Sequence, residues 1–399
     1  MPSFEGPMFN VNLIPRFNLD YGFGDILYSI KSVFFETGQD ARIVKTIFGE
    51  STPYFTNSGR TAIYVVLRSL RLAPGSTVGI PLYTCPSVID AVIQAGHTPL
   101  FVDIDIEHYT LDPEDLRKKH SGLDALIVIH TFGRPAQMDE ILDLAEGVPV
   151  IEDCAHSLLS RYRGKVTGTI GDASIFSFRS GKYISAGEGG MIVVNNKGLE
   201  EMVILEAERL SEPHLSNELK HAGFVYVKSL LYHRPWYGLF ARAVAARLDS
   251  KMNISGKQGF KAGKIRKSDL AVFFRKLSTF ERRVEKQRKN SLILIDELKD
   301  TELLLPREAE GTYCNFYLFP VLFKTQKVRN QAHLELARLG VDTAKLFSET
   351  PEKAKQLYGY RGDCPKTEQV AQRVLTIPNY YTLNEDEIRM IAEKVREVS

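Results

Sequence analysis

The chain has 399 residues, 44% of them hydrophobic, with 51 Lys and Arg set against 49 Asp and Glu. That length supports a large core and two domains, and the near balance of charge gives no general argument for nucleic acid as a partner. Cys85, Cys154, Cys314 and Cys364 lie far apart with no CxxC pair, which argues against a disulfide framework or zinc site and for a reducing compartment.

The opening MPSFEGPMFNVNLIPRF lacks a basic start followed by a long apolar core, so no secretory signal is expected there. No stretch reaches ~18 apolar residues without a charge, the length that a membrane-spanning helix needs. The expectation is a cytoplasmic α/β protein.

Residues 1–50 are mixed and aromatic and carry no readable motif. From Tyr54 a short strand meets Asn57-Ser58-Gly59-Arg60, followed by the periodic helix Ala62 to Leu70. Small residues at a helix entrance leave backbone N–H groups facing outward, which suits an anion, although an ordinary helix cap has the same appearance. A regular alternation follows. Strands at Ser76–Ile80, Pro99–Asp103, Leu123–His130 and Val148–Ile151 are separated by helices at Pro86–Gly96, Asp112–His120 and Met138–Ala145. Such alternation predicts a mainly parallel sheet covered by helices on both faces. Neither Gly-x-Gly-x-x-Gly nor Gly-x-x-x-x-Gly-Lys-Ser/Thr follows a strand, so dinucleotide and P-loop readings lack their loops.

The stretch from Val148 to Gly190 organises the rest. The apolar run Val148–Ile151 stops at Glu152-Asp153, which puts a carboxylate at the carboxyl end of a strand, the edge where open α/β sheets bind ligands. A second β-rich run, Ala173–Phe178, ends in Arg179-Ser180-Gly181-Lys182, and Gly187-Glu188-Gly189-Gly190 makes the next turn. A carboxylate, a hydroxyl and a lysine on neighbouring strand ends are what pyridoxal phosphate requires: a partner for the ring nitrogen, a phosphate ligand and a Schiff-base amine. Taken singly, Asp153 reads equally as a helix cap, His156 as a core histidine and Lys182 as a surface lysine. His130 reads as loop support or as site lining.

Seven motifs stand in one order: Ser58-Gly59, Pro81–Thr84, Phe101–Asp105, His130–Gly133, Ile151–His156, Phe176–Phe178, and Lys182 with Gly187–Gly190. In this order and spacing the chain resembles the DegT/StrS family of pyridoxal-phosphate-dependent sugar aminotransferases, within the aspartate aminotransferase fold superfamily. The likeness is dense from Asn57 to Asn195, looser from Gly263 onward, and absent from about Glu206 to Ala262.

The resemblance implies a fold-type-I enzyme. Its large domain, residues 1–262, would be a three-layer α/β/α unit with a mainly parallel sheet, and residues 263–399 a smaller α+β C-terminal domain. It implies that Lys182 is the Schiff-base lysine and proton shuttle, that Asp153 pairs with the pyridine nitrogen, and that His156 lies against the cofactor ring. Ser177 would bind the phosphate through its hydroxyl, and Gly59 and Arg60, next to Ser58, through backbone N–H groups. Glu188 would lie near the substrate. A desolvated lysine beside a cationic ring is expected to have a lowered pKa.

Three positions depart from the family pattern. Arg60 replaces the usual Thr, so its side chain is a candidate for the phosphate or a substrate group. Cys85 stands where the family stacks an aromatic on the cofactor, which shifts that role to Tyr83 or His156. Gly263-Lys264-Ile265-Arg266 stands where the family has Gly-Tyr-Asn-x-Arg, which makes Lys264 a candidate cation for a neighbouring subunit's phosphate.

The stretch 224–248 is aromatic and apolar with scattered cations. It reads either as an interfacial segment touching a membrane or, preferably, as a helical insertion packed on the sheet or at a dimer interface. Residues 251–267 read as a flexible crossing. Beyond it come a long charged helix from Ser268 to Leu298, a strand from Tyr313 to Leu322, a helix from Arg329 to Leu339, a strand at Val374–Pro378 and a closing helix from Asn384. The basic run of the long helix reads as a solvated face rather than a nucleic-acid patch.

The function implied is transfer of an amino group from an amino acid, glutamate by resemblance, to a keto-sugar, most simply a nucleotide-linked one. The cofactor would pass through pyridoxamine phosphate and the enzyme would be a homodimer. Other readings are a sugar dehydratase, a cysteine desulfurase, or a scaffold or regulator that keeps the fold. Against them stand Lys182, where dehydratases of the family carry histidine, the lack of a recognisable desulfurase cysteine loop, and the presence of Asp153, Ser177 and Lys182 together.

Overall fold

The computed structural model describes residues 10–35, 41–49, 51–242 and 259–399. Twelve strands are present among them: β1 (Pro53–Thr56), β2 (Thr77–Pro81), β3 (Thr98–Val102), β4 (Ala125–Ile129), β5 (Val150–Asp153), β6 (Arg161–Tyr162), β7 (Lys165–Val166), β8 (Ala173–Ser177), β9 (Gly190–Val194), β10 (Thr312–Tyr313), β11 (Phe319–Leu322) and β12 (Val374–Ile377).

Seven of them form the main sheet in the order β1-β9-β8-β5-β4-β2-β3. The pairs β2/β3, β2/β4, β4/β5 and β5/β8 are parallel, and β9 runs antiparallel to both β8 and β1. The alternation of apolar side chains explains why the sheet is covered on both sides. Ala125, Ile127 and Ile129 of β4 join one core with the helices Gly59–Ser69 and Pro86–Gln94. Leu126 and Val128 enter another core on the opposite face, beside the helices Pro113–Lys119 and Met138–Leu144. Successive strand residues point to opposite faces, so a strand made wholly of Ala, Leu, Ile and Val needs a helical layer on each. This is the three-layer α/β arrangement read from the sequence.

The antiparallel pair β11/β12 anchors a second core, in which Leu294, Phe319, Leu375 and Ile391 pack with Ile14 from near the N-terminus. The helix Lys267–Leu277 instead contributes Val272, Phe273 and Phe274 to a core with Phe178 and Ile184. Residues on both sides of position 262 therefore share one core.

The expected long helix from Ser268 is interrupted. It runs as Lys267–Leu277 and Phe280–Leu298, because the Ser278 and Thr279 hydroxyls donate back to the carbonyls of Arg275 and Lys276 and compete with helix continuation. The expected strand from Tyr313 is likewise split into β10 and β11. Between them Asn315 turns inward and Phe316 adopts a positive φ of 48°. The segment 206–242 contains a helix, Leu215–Leu231, that packs on the helices Phe23–Phe34 and Lys267–Leu277. Residues 243–258, which include the first eight residues of the expected crossing, lie outside the described residues. Among the described residues no helix is long and apolar enough to cross a membrane.

Candidate active site

Parallel β5 and β8 lie side by side in register, Asp153 opposite Ile175, so their last residues, Asp153 and Ser177, stand at the same sheet edge. Asp153 is buried. One carboxylate oxygen accepts the N–H of Ala155 at 2.9 Å, the remaining oxygen has no hydrogen-bond partner among the described residues, and burial raises its pKa against the pull of Lys182 and His130. A buried carboxylate so poorly matched calls for a cationic N–H partner.

Ser58, Gly59 and Ser177 converge at this edge. Ser58 caps the helix Gly59–Ser69 by accepting the Thr61 N–H at 3.2 Å. A Cβ added to Gly59 would come within 2.9 Å of Ser177 Cβ, so only glycine lets the helix entrance approach the hydroxyl this closely. The first N–H groups of that helix point outward beside a serine hydroxyl, an arrangement suited to a phosphate.

Lys182 follows β8 in a loop held down by hydrogen bonds from Ser180 N–H to Gly187 and from Lys182 N–H to Arg179. Its ammonium has no hydrogen bond or ion pair among the described residues and lies 5.7 Å from the Tyr317 ring centroid. Burial, and after it the Arg179 guanidinium, brings its pKa down to about 8, with Asp153 and Cys85 opposing. A neutral amine is therefore accessible near physiological pH, the condition for a Schiff-base nucleophile.

His156 is buried between aromatic rings: Tyr317 at 4.7 Å, Phe347 in a parallel plane at 6.2 Å and Phe132 at 6.4 Å. Its Nδ1 accepts the Phe132 N–H at 3.2 Å. Burial, reinforced by Lys182 and Arg179, holds its pKa well below the ordinary histidine value, so the ring is neutral.

These residues fit pyridoxal phosphate. The outward helix N–H groups and Ser177 suit its phosphate, the unmatched Asp153 oxygen its ring N–H, and the unpaired Lys182 amine its carbonyl.

The family pattern of the DegT/DnrJ/EryC1/StrS aminotransferases matches residues 42–396. The chain belongs to that family.

The aminotransferase is 25% identical over 346 residues to the GDP-perosamine synthase of Escherichia coli O157:H7, a match covering 86% of this chain and 84% of that one. It is 26% identical over 348 residues to the UDP-N-acetyl-3-dehydro-alpha-D-glucosamine 3-aminotransferase of Acidithiobacillus ferrooxidans, covering 85% and 82%. Among solved structures it shares its fold with the sugar aminotransferase CalS13 of Micromonospora echinospora, at a TM-score of 0.74 and 18% identity over 96% of this chain and 100% of that one. The family's cofactor is pyridoxal phosphate, and the aminotransferase is a pyridoxal-phosphate-dependent enzyme of fold type I.

The remaining candidate residues are placed as follows. The Arg60 side chain does not turn to the phosphate cradle: its guanidinium stacks 4.4 Å over Phe260 and lies 3.8 Å from Asp90. Tyr83 is fully buried among Tyr109, Phe132 and Phe347, and its hydroxyl donates to the Leu346 carbonyl at 2.9 Å. Its ring faces are thus taken by protein, and His156 is the better exposed of the two rings assigned the stacking role. Cys85 stands just before the helix Pro86–Gln94 without capping it through its side chain, receives the Ser87 hydroxyl at 3.0 Å and lies close enough to bear on Lys182. Lys264 has its ammonium bound to Glu212 within this chain. Glu188 is exposed and pairs with Arg266 at 2.8 Å. His130 is fully buried: it meets Glu152 at 2.9 Å and accepts the Ala136 N–H, so it supports the loops rather than lining the cleft.

Sequence reasoning missed Arg179, Asn315, Tyr317, Phe347 and Lys228. Asn315 donates to the carbonyls of His156 and Leu158 at 3.0 and 2.9 Å. Lys228 of the inserted helix has its pKa lowered by burial and then by Arg179, with Glu188 opposing, so the insertion borders the site. The Arg179 position, three before Lys182, was legible in the motif. The others come from distant segments with no local signal. A cavity of about 30 Å³ reaches Lys182 and is lined also by Asn18, Gln287, Tyr317 and Tyr381.

Proposed function

We propose that this aminotransferase moves the amino group of an amino acid, glutamate in the first instance, onto a keto-sugar carried by a nucleotide. The observation that carries the reading is the Lys182 amine: half-buried, without a hydrogen-bond partner among the described residues, its pKa brought down to about 8, and following the strand whose end stands beside that of Asp153. The nucleotide-sugar acceptor rests on the two relatives named for GDP- and UDP-linked sugars.

When bound, pyridoxal phosphate supplies the electron sink and the carbonyl carbon that carries the amine. Within the chain, Ser177 and the N–H groups of Gly59 and Arg60 hold the phosphate, and Asp153 keeps the ring nitrogen protonated. His156 packs on the ring. Lys182 would hold the cofactor's carbonyl carbon as nucleophile, leave as the neutral amine when the donor's amino group takes its place, and then move the proton from the donor's Cα as general base and acid. Glu188 lies on the substrate side. Catalysis by a homodimer in the cytoplasm, with Lys264 near the subunit contact, completes the reading.

The test is to supply the purified protein with pyridoxal phosphate, glutamate and a set of nucleotide-linked keto-sugars, and to follow 2-oxoglutarate and the amino-sugar by mass spectrometry. An amine product that Lys182→Ala abolishes is the expected result. A protein that binds cofactor covalently but aminates none of the keto-sugars, while converting ordinary keto acids, would overturn the sugar assignment.

A further inference from the structure

The helix Phe23–Phe34 is turned inside out relative to an ordinary surface helix. Asp25, Ser29 and Ser32 face the protein with Val33. Phe23, Leu27, Ile30 and Phe34, at i, i+4, i+7 and i+11, face solvent with 64, 53, 38 and 60% of their surface exposed. A surface helix normally presents the reverse, and a stripe of this kind marks a contact.

The stripe does not stand alone. The helix Leu215–Leu231 lies alongside, with Phe23 meeting Tyr226 edge-on at 6.4 Å. That helix also turns polar groups inward, burying Glu218 and Ser229, and exposes Phe224, Val227 and Leu231 on its outer side. Stacked Trp236 and Phe240 extend the same chain segment, again exposed.

Charge selects the occupant. On the stretches Phe23–Phe35 and Leu215–Phe240 the only acids, Asp25 and Glu218, are buried, whereas Lys31 and Lys220 are exposed; Arg234 is exposed too but pairs with Glu387. An apolar aromatic face whose own surface carries exposed lysines and no exposed acid complements an anionic lipid surface, where side chains such as Phe and Leu enter the acyl boundary and lysines meet the headgroups. A second copy of the same face would bring the lysines of both subunits together.

We propose that the face built from helices Phe23–Phe34 and Leu215–Leu231 is a docking surface for an anionic lipid bilayer. The inner side of the second helix touches the active-site loop: Val225 packs in the core with Ile184 and Ala186, and His221 lies beside Gly187. One helix layer therefore separates the docking face from the Lys182 loop, so the seated protein works within about a helix diameter, ~10 Å, of the bilayer surface.

Flotation of the full-length protein with vesicles tests this. One set is phosphatidylcholine, the other phosphatidylcholine with a quarter phosphatidylglycerol. The wild type is expected to float with the anionic vesicles, less so at high salt, and poorly with the neutral ones. Leu27→Gln/Val227→Gln is expected to lower the bound fraction ten-fold or more, and Lys31→Gln/Lys220→Gln by roughly five-fold per lysine, with unchanged circular dichroism in both. A wild type that stays at the bottom of the gradient with both vesicle types overturns the proposal. So does a dimer that ignores vesicles and is split by Leu27→Gln/Val227→Gln, which assigns the face to a second copy of the chain.

Discussion

Tyr317 donates its hydroxyl to the carbonyl of Gly181, the residue before Lys182. The same ring lies 5.7 Å from the lysine nitrogen and 4.7 Å from the His156 ring. A residue from the loop between β10 and β11, well over a hundred positions away, thus braces the lysine loop and closes one side of the site. Tyr317→Phe keeps the ring and removes the brace. Loss of one hydrogen bond costs ~1 kcal/mol of stability, and kcat is expected to fall with KM little changed, because the lysine loop loosens while the binding surfaces stay. Urea denaturation and steady-state kinetics with the variant check both.

The Lys182 pKa of about 8 has burial as its first cause and Arg179 as its second. Only the neutral amine attacks a carbonyl, so uptake of pyridoxal phosphate by the cofactor-free protein should accelerate as pH rises through about 8. In Arg179→Gln a nearby cation is gone, the ammonium form is favoured, and the midpoint moves to higher pH. Stopped-flow absorbance across pH 6.5 to 10 reads the shift, and an unmoved midpoint would exclude Arg179 from this role.

Glu152 is fully buried and accepts N–H bonds from Gly168, Ile170 and Gly171 besides meeting His130. Burial alone raises a carboxyl pKa, but His130 and these donors outweigh it, and the pKa lies below the ordinary value. Its contribution to stability is therefore complete above the unfolded-state pKa near 4.5 and is lost as pH falls through the folded value. Glu152→Ala leaves His130 and three N–H groups without their acceptor and is expected to cost ~3–5 kcal/mol. Glu152→Gln should flatten the acid limb of the stability profile, measured by chemical denaturation between pH 3 and 7.

Gly133 has a φ of +90°, and a Cβ there would collide with the Asn315 side-chain oxygen. Gly133→Ala is expected to lose at least ~1–2 kcal/mol from the backbone conformation alone, plus the cost of displacing Asn315 from the carbonyls of His156 and Leu158. In Asn315→Ala that second cost is already met, so the double variant should be less unstable than the sum of the singles. A double-mutant cycle in thermal unfolding tests the coupling, and strict additivity would show the two sites to be independent.

On the proposed phosphate role of Ser177, Ser177→Ala removes a hydroxyl that would donate to a charged group, worth ~1.5–3 kcal/mol and hence roughly ten- to a hundred-fold in cofactor affinity. Gly59→Ala acts through crowding of the same hydroxyl. Titration of the cofactor-free variants with pyridoxal phosphate, followed by absorbance, reads both. The Lys182→Ala protein serves as the reference without covalent attachment.

The sequence by itself determined the elements whose signal is local. It predicts strands at Val148–Ile151 and Ala173–Phe178, where β5 and β8 form with ends shifted by up to two residues, and it places Lys182 in the loop to Gly190, because apolar runs, carboxylates and glycines lie next to one another in the chain. Spacing then gave the motif order and the family. Where the signal was not local, the tertiary structure decided. Tyr317, Asn315 and Phe347 come to His156 from residues with no motif around them: Asn315 and Tyr317 sit on a loop shaped by the carbonyls it binds, and Phe347 arrives from a separate segment. Tyr83 is enclosed by aromatic neighbours and Arg60 drawn to Asp90 and Phe260, partners that a linear pattern does not contain. The two helices that hide acids and serines and expose phenylalanines carry amphipathic patterns that give a face but not its direction. Only packing decides which side of a helix meets the core: in the first it is a largely polar side, in the second a side where Glu218 and Ser229 lie beside Ala222 and Val225.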